Sequence, residues 1–261
     1  MLPRGTDALS INPPVGVDST LSVHGSDWLW AVTAIYMIAF LGLLVICFTA
    51  PESNRVFHYL FTVTLLVGSV TYFAQASDLG WSAVRDSSSA THQVFYVRYI
   101  NWVVSFPSVA LALGLLSGVS WTTIFTNVAI TWLWVLTYLA AAYTPTSYRW
   151  GFFAFGTLAY VILAMSTLNE SREAAGRLDV SRDYMILAGW ANLLWLLYPV
   201  AFGLSDGSST IGVTGGSIFF GVLDVLLVPV VGFGESRFNP HATAVSDKKI
   251  VSPTGSDIPV V

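Results

Sequence analysis

At 261 residues, 54% hydrophobic and only 10% charged, the chain lacks the charged surface of a soluble domain, of which about 25% is charged. A mean hydropathy of +0.67 agrees, and the net charge of −4 argues against nucleic acid as a partner. The single cysteine, Cys47, lies in an apolar run, so it forms no disulfide framework and belongs to no metal-ligand spacing.

Residues 1–25 are polar and hold no apolar signal core, so the first span is expected to direct insertion itself. Seven apolar runs follow, over about 27–49, 57–77, 93–116, 120–143, 150–168, 184–205 and 212–235. Each is near the ~20 residues that cross a bilayer as a helix. The fold class read from this is an all-α membrane protein, a seven-helix bundle. It comprises a polar N-terminal segment (1–25), a seven-span domain (26–235) and a tail (236–261) expected to be disordered. Polar connections are expected from Ser77 to His92 and from Asn169 to Asp183. Arg55, Arg172, Arg177, Arg182, Arg237, Lys248 and Lys249 fall on one side; Arg4, Arg85 and Arg149 fall on the other. The positive-inside rule then puts the N-terminus outside and the C-terminus in the cytoplasm. The triplet Asn169-Glu170-Ser171 is a glycosylation acceptor by pattern, but lies on the expected cytoplasmic side and is expected to be unused.

Pro107, Pro199 and Pro229 lie inside spans, where each removes a backbone donor and kinks or loosens its helix. His58 and His92 lie near span ends and are expected to be solvated, without the company a metal site needs.

Ser217 to Gly234 is the last span, and Asp224 sits in its middle. An ionisable group at that depth is costly and needs partners. In the third span Arg98, Asn101, Trp102 and Ser105 recur at helical spacing on one face. An Arg98–Asp224 ion pair is therefore expected, with hydrogen bonds from Asn101 and Ser105. In the sixth span Trp195 and Tyr198 share a face, and the hydroxyls of Tyr198 and of Tyr72 in the second span are candidate donors to Asp224. The residues alone leave open whether this network fixes helix register or serves a ligand or transport. No nucleophile–base set, metal constellation or phosphate loop is present, so no enzyme is expected.

Arg98-Tyr99-Ile100-Asn101-Trp102 with Pro107, Trp195-Leu196-Leu197-Tyr198-Pro199 and Leu223-Asp224-Val225-Leu226-Leu227-Val228-Pro229 resemble helices three, six and seven of microbial rhodopsins. Phe95-Tyr96-Val97-Arg98-Tyr99 and Trp150-Gly151-Phe152-Phe153 are similar to the fungal branch. The resemblance runs from about residue 26 to 235. It implies a bacteriorhodopsin-like bundle around a retinal pocket, here with Tyr72, Trp102, Ser105, Trp195, Tyr198 and Asp224 as its remnant. The family's retinal is a Schiff base on a helix-seven lysine, four residues after an Asp that matches Asp224. That position is Val228, and the only lysines in the chain are Lys248 and Lys249. Covalent retinal is therefore not expected; non-covalent retinal or another apolar ligand stays open. The counterion and proton acceptor of the pumps matches Asn101, and their proton donor matches Ala112. Of the extracellular acid pair, Asp206 is kept and Gly216 stands at the other place. Loss of one lysine and one Asp together would leave Arg98 and Asp224 as a neutral pair. Trp132 and Trp134 fall where small residues usually flank the ring of retinal.

What the resemblance implies is a heptahelical protein of the plasma membrane of a fungus-like cell. Its role would be structural, stress-related or ligand-binding, within the lipid bilayer, with a homodimer or homotrimer as the assembly the resemblance implies. The alternative it leaves is a photoreceptor or ion transporter whose photochemistry is lost or altered.

Overall fold

The computed structural model describes residues 8–49, 55–85 and 90–238, with side chains to Gly234. Seven helices among these are long and apolar enough to cross a membrane, so this is an integral membrane protein. A short helix, α1 (Ala8–Ile11), precedes α2 (Val23–Thr49) and α3 (Arg55–Ala76). A hairpin follows, β1 (Ser82–Arg85) and β2 (Thr91–Val94), and then α4 (Tyr96–Ser117), α5 (Trp121–Tyr143) and α6 (Arg149–Met165). The chain closes with α7 (Ser171–Arg177), α8 (Ser181–Phe202) and α9 (Gly212–Phe238). Consecutive spans pack side by side, and α9 closes the ring against α2 while also touching α3 and α4. Hence α9 runs through the centre of the polar network.

Local chemistry sets the helix ends. α4 stops at Gly118, whose left-handed φ of 68° lets its N–H reach the carbonyls of Gly114 and Leu115. α5 starts three residues later, at Trp121, because the Ser120 hydroxyl accepts the Thr123 N–H at 3.2 Å. Close packing explains Gly68: a Cβ there would lie 2.2 Å from the Tyr36 ring. Large apolar side chains such as Ile38, Phe48 and Phe125 point outward to lipid.

Both expected polar connections carry regular structure. Helix α6 does not stop at the apolar boundary. It passes through a π turn at Ser166–Glu170 into α7, so Asn169 to Arg177 is helical. Hydropathy marks where the bilayer ends, not where helical hydrogen bonding ends, and Ser-Arg-Glu-Ala-Ala continues a helix readily. Between α3 and α4, β1 and β2 pair antiparallel from Ser82↔Val94 to Arg85↔Thr91. Ser19 adds a parallel bridge to His92.

Asp18 fastens that segment: its carboxylate accepts the Thr91 N–H at 2.8 Å and the Thr91 hydroxyl at 2.9 Å. These bonds hold Asp18 below the usual carboxylate range. Burial pushes Asp78 the other way, against a hydrogen bond from Gln93. His58 and His92 are buried, at 4% and 6% exposure, and not solvated as expected. His58 lies on the inner face of α3, and His92 lies in β2, covered by the Ser19 segment. The tail from residue 239, with Lys248 and Lys249, lies outside the described residues, as do Arg4 and the Arg237 side chain.

Candidate functional site

Asp224 is completely buried, and its two carboxylate oxygens are shared among four side-chain donors. Tyr72 donates to Oδ2 and Tyr198 to Oδ1, each at 2.5 Å, short as charge-assisted O–H···O bonds are. The Trp102 indole donates at 3.1 Å to Oδ1 and 3.3 Å to Oδ2, and Asn101 Nδ2 donates to Oδ2 at 3.1 Å. Tyr36, whose ring lies tilted against Tyr72 at 5.2 Å, donates to the Asp224 backbone carbonyl at 3.0 Å. Helices α3, α4 and α8 thus converge on one carboxylate of α9, and α2 bonds the backbone of the same residue. A carboxylate can accept about four hydrogen bonds, so this one is saturated by protein donors.

Arg98 is not paired with Asp224, contrary to the sequence expectation. Its Nη1 lies 3.3 Å from Asp206 Oδ2, its Nη2 bonds the Ser217 hydroxyl at 3.2 Å, and the guanidinium sits 4.6 Å from the centre of the Phe220 ring. Tyr99 donates to the same Asp206 oxygen at 2.6 Å. The cause is directional. Side chains on a helix tilt toward its N-terminus, so Arg98 leads away from the level of Asn101 and Trp102, where Asp224 lies. The network is therefore two clusters: Arg98 with Asp206, Tyr99 and Ser217, and Asp224 with neutral donors. The proposed compensation, in which Arg98 neutralises Asp224, changes accordingly: Asp206 is the acid that pairs with Arg98. Ser105 is also not part of it; its buried hydroxyl has no hydrogen bond among the described residues.

Gly216 has no room for an acid, because a Cβ there would lie 2.7 Å from Ser205 Cβ. A void of about 10 Å³ beside Asp206, bordered by Ser19, His92 and Ser209, is the size of a single water.

Next to Asp224 the bundle interior is filled by rings. Phe106 lies 5.8 Å from Trp102, 4.9 Å from Trp134, 4.8 Å from Tyr198 and 6.1 Å from Trp195, centre to centre. Trp134 also packs on Tyr160, and Tyr138 packs on Phe202 at 4.5 Å. Val228, one turn beyond Asp224, is fully buried. Of the two tryptophans expected to intrude, only Trp134 does. Trp132 is 46% exposed, and its indole donates at 3.0 Å to the Val103 carbonyl. That carbonyl is the one that Pro107, four residues on, cannot serve. Trp132 therefore satisfies a backbone group that would be costly in lipid.

Toward the opposite end, Ala112 is buried and apolar, and Asn192 bonds Thr167 at 3.1 Å. No group of three metal-ligating side chains occurs among the described residues. Sequence reading had not marked Tyr36, Tyr99, Ser217 or Phe106. Ser217 had a signal, since it stands two helical turns before Asp224 on the same face.

Comparisons with known proteins agree with this architecture. Protein FDD123 of Trametes versicolor is 36% identical over 95% of this chain and 92% of its own length. The 30 kDa heat shock protein of Saccharomyces cerevisiae is 29% identical over 86% of this chain and 75% of its own. Among solved structures, a light-driven proton pump from Leptosphaeria maculans superposes with a TM-score of 0.80, at 28% identity, over 86% of this chain and 98% of its own. The family model described as Bacteriorhodopsin-like protein matches residues 25–234, and with its seven apolar spans the chain belongs to the bacteriorhodopsin-like, microbial rhodopsin family.

Proposed function

We propose that this protein is an opsin-related bundle that forms no retinal Schiff base and serves a structural, stress-related role in its membrane. The observation that carries the reading is Val228. It is fully buried at the place, one turn after Asp224, where the resemblance calls for an amine. Asn101 and Ala112 support it, since neither an amide nor a methyl group accepts or relays a proton. The rings of Phe106 and Trp134 occupy space a polyene would need. The stress assignment draws on the heat shock relative. The reading includes no catalytic step. It places the protein in the plasma membrane with the arginine-rich end of the bundle inside, as a homodimer or homotrimer.

A second reading has its own support. Trp195 Nε1, Ser105 Oγ and Asn101 Oδ1 are buried polar atoms with no hydrogen bond among the described residues. Such atoms favour a non-covalent occupant with polar groups, held in the old pocket.

The test is a visible spectrum of purified protein after addition of all-trans retinal, beside a Val228→Lys, Asn101→Asp double variant. Two flat spectra are expected of the first reading. A coloured variant beside a colourless parent would favour the second. A red-shifted, hydroxylamine-sensitive band in the parent, or a light-evoked current, would overturn both and return the protein to the photoreceptor or ion-transport class.

A further inference from the structure

Where α7 turns into α8, an open pocket of about 640 Å³ is lined by Arg172, Asp179, Ser181, Arg182, Met185 and Ile186. We infer that it binds the headgroup of an inositol phospholipid, its phosphate on Arg172 and Arg182 and its hydroxyls on Asp179 and Ser181.

The charge comes first. Arg172 and Arg182 both line the pocket, and neither makes a hydrogen bond or ion pair with a described residue. Two guanidiniums lining one pocket give it a positive potential, and a phosphate there accepts the planar fork of each. Ser181 opens the 22-residue helix α8, whose first N–H groups have no partner within the helix and favour the same anion.

The wall is fixed in advance. Asp179 holds a left-handed φ of 60°, while the N–H groups of Leu178 and Val180 both close on the Ala175 carbonyl. Leu178 is seated against Gly118, where a Cβ would come within 2.5 Å of it. Asp179 therefore faces the pocket as a placed acceptor. A phosphate alone has no use for it, whereas a polyol does.

The floor selects a lipid over a free phosphate ester. Met185 and Ile186 continue the lining along α8 into the span Ser181–Gly207, and Ile186 is half exposed on the outside of the bundle. An acyl chain would follow them while its headgroup stays at the polar boundary.

Native mass spectrometry of the full chain in neutral detergent tests this, with dioctanoyl phosphatidylinositol 4-phosphate and dioctanoyl phosphatidylcholine as probes. The inositol lipid should bind at least tenfold more tightly than phosphatidylcholine. Arg172→Gln with Arg182→Gln should remove at least a tenfold share of that affinity. Lys248→Gln with Lys249→Gln takes the same charge from the tail and should change it little. Arg182→Lys, which keeps the charge and loses the fork, should fall between parent and double variant. Equal binding of the two lipids, or equal loss in the arginine and lysine variants, would overturn the site. Inorganic phosphate that competes as well as the lipid would overturn the lipid assignment.

Discussion

Arg98 and Asp206 form a buried ion pair at 3.3 Å, with side chains 3% and 9% exposed. Tyr99 and Ser217 complete it. Removing one member of such a pair leaves a charge without a partner and costs about 3–5 kcal/mol, whereas removing both costs less. Arg98→Gln and Asp206→Asn should each lower the thermal midpoint in detergent, and the double variant should recover part of the loss. Additive losses in that cycle would mean that the two residues do not act as a pair.

The indole of Trp132 serves the carbonyl that Pro107 leaves open. Trp132→Phe keeps the ring and loses the donor, so it should destabilise by about 1–2 kcal/mol. Pro107→Ala supplies a backbone N–H for Val103 and should make the same Trp132→Phe change nearly neutral. An undiminished effect of Trp132→Phe in the Pro107→Ala background would show that packing, not the hydrogen bond, holds the indole.

Phe106 and Trp134 pack on each other in the filled interior, 4.9 Å between ring centres, and Phe106 lies 4.8 Å from Tyr198. Trp134→Ala should cost about 3–5 kcal/mol in unfolding free energy, as large-to-small changes in tight cores do. The same cavity should help a polyene enter. With Val228→Lys and Asn101→Asp already present, adding Phe106→Ala and Trp134→Ala should raise the amplitude of any retinal band. Unchanged amplitude would locate the obstruction elsewhere.

The clasp between Asp18 and Thr91 lies outside the spans and titrates with solvent. Its carboxylate is held below its ordinary range by the Thr91 N–H and hydroxyl. A depressed folded-state value means stabilisation that is present above the unfolded value, about pH 4. It is lost as pH falls through the lower, folded one. The protection factors of the Thr91 and Gln93 amides, taken relative to intrinsic exchange at each pH, should therefore fall on acidification below about pH 4, and Asp18→Asn should show the lower protection already at neutral pH. Protection of these amides that is insensitive to Asp18→Asn would contradict this.

The seven spans and the centrality of Asp224 were legible because apolar length and a lone mid-span acid are properties of single segments. The donors Tyr72, Tyr198 and Asn101 were legible for a related reason: each lies at the right depth in its own helix; Trp102 was read as a pocket residue, and its bond to Asp224 was not anticipated. The partner of Arg98 was not, because depth along one helix does not say which way a long side chain leans. Arg98 leans toward the N-terminus of α4, and so meets Asp206 and Ser217 instead. Trp132 and Trp134 mark the same limit. Residues two apart on a helix cannot face the same way, so both could not enter the pocket. The hairpin from Ser82 to Val94 was missed because its strands are four residues each and carry no long alternation. The covering of His92 depends on a contact with Ser19, distant in sequence.

The π turn at Ser166–Glu170 acts as a phase shift. It accommodates one residue more than an α turn, and a residue is worth about 100° of rotation. The residues of α7, Ser171–Arg177, are therefore rotated relative to α6, which turns Ala174 and Ala175 inward and Arg172 to the rim beside Asp179. Deleting one residue within the turn would reset that angle and carry Arg172 away from Arg182, with the spans themselves left in place. The bundle thus aims its arginine-rich end by counting residues rather than by adding contacts.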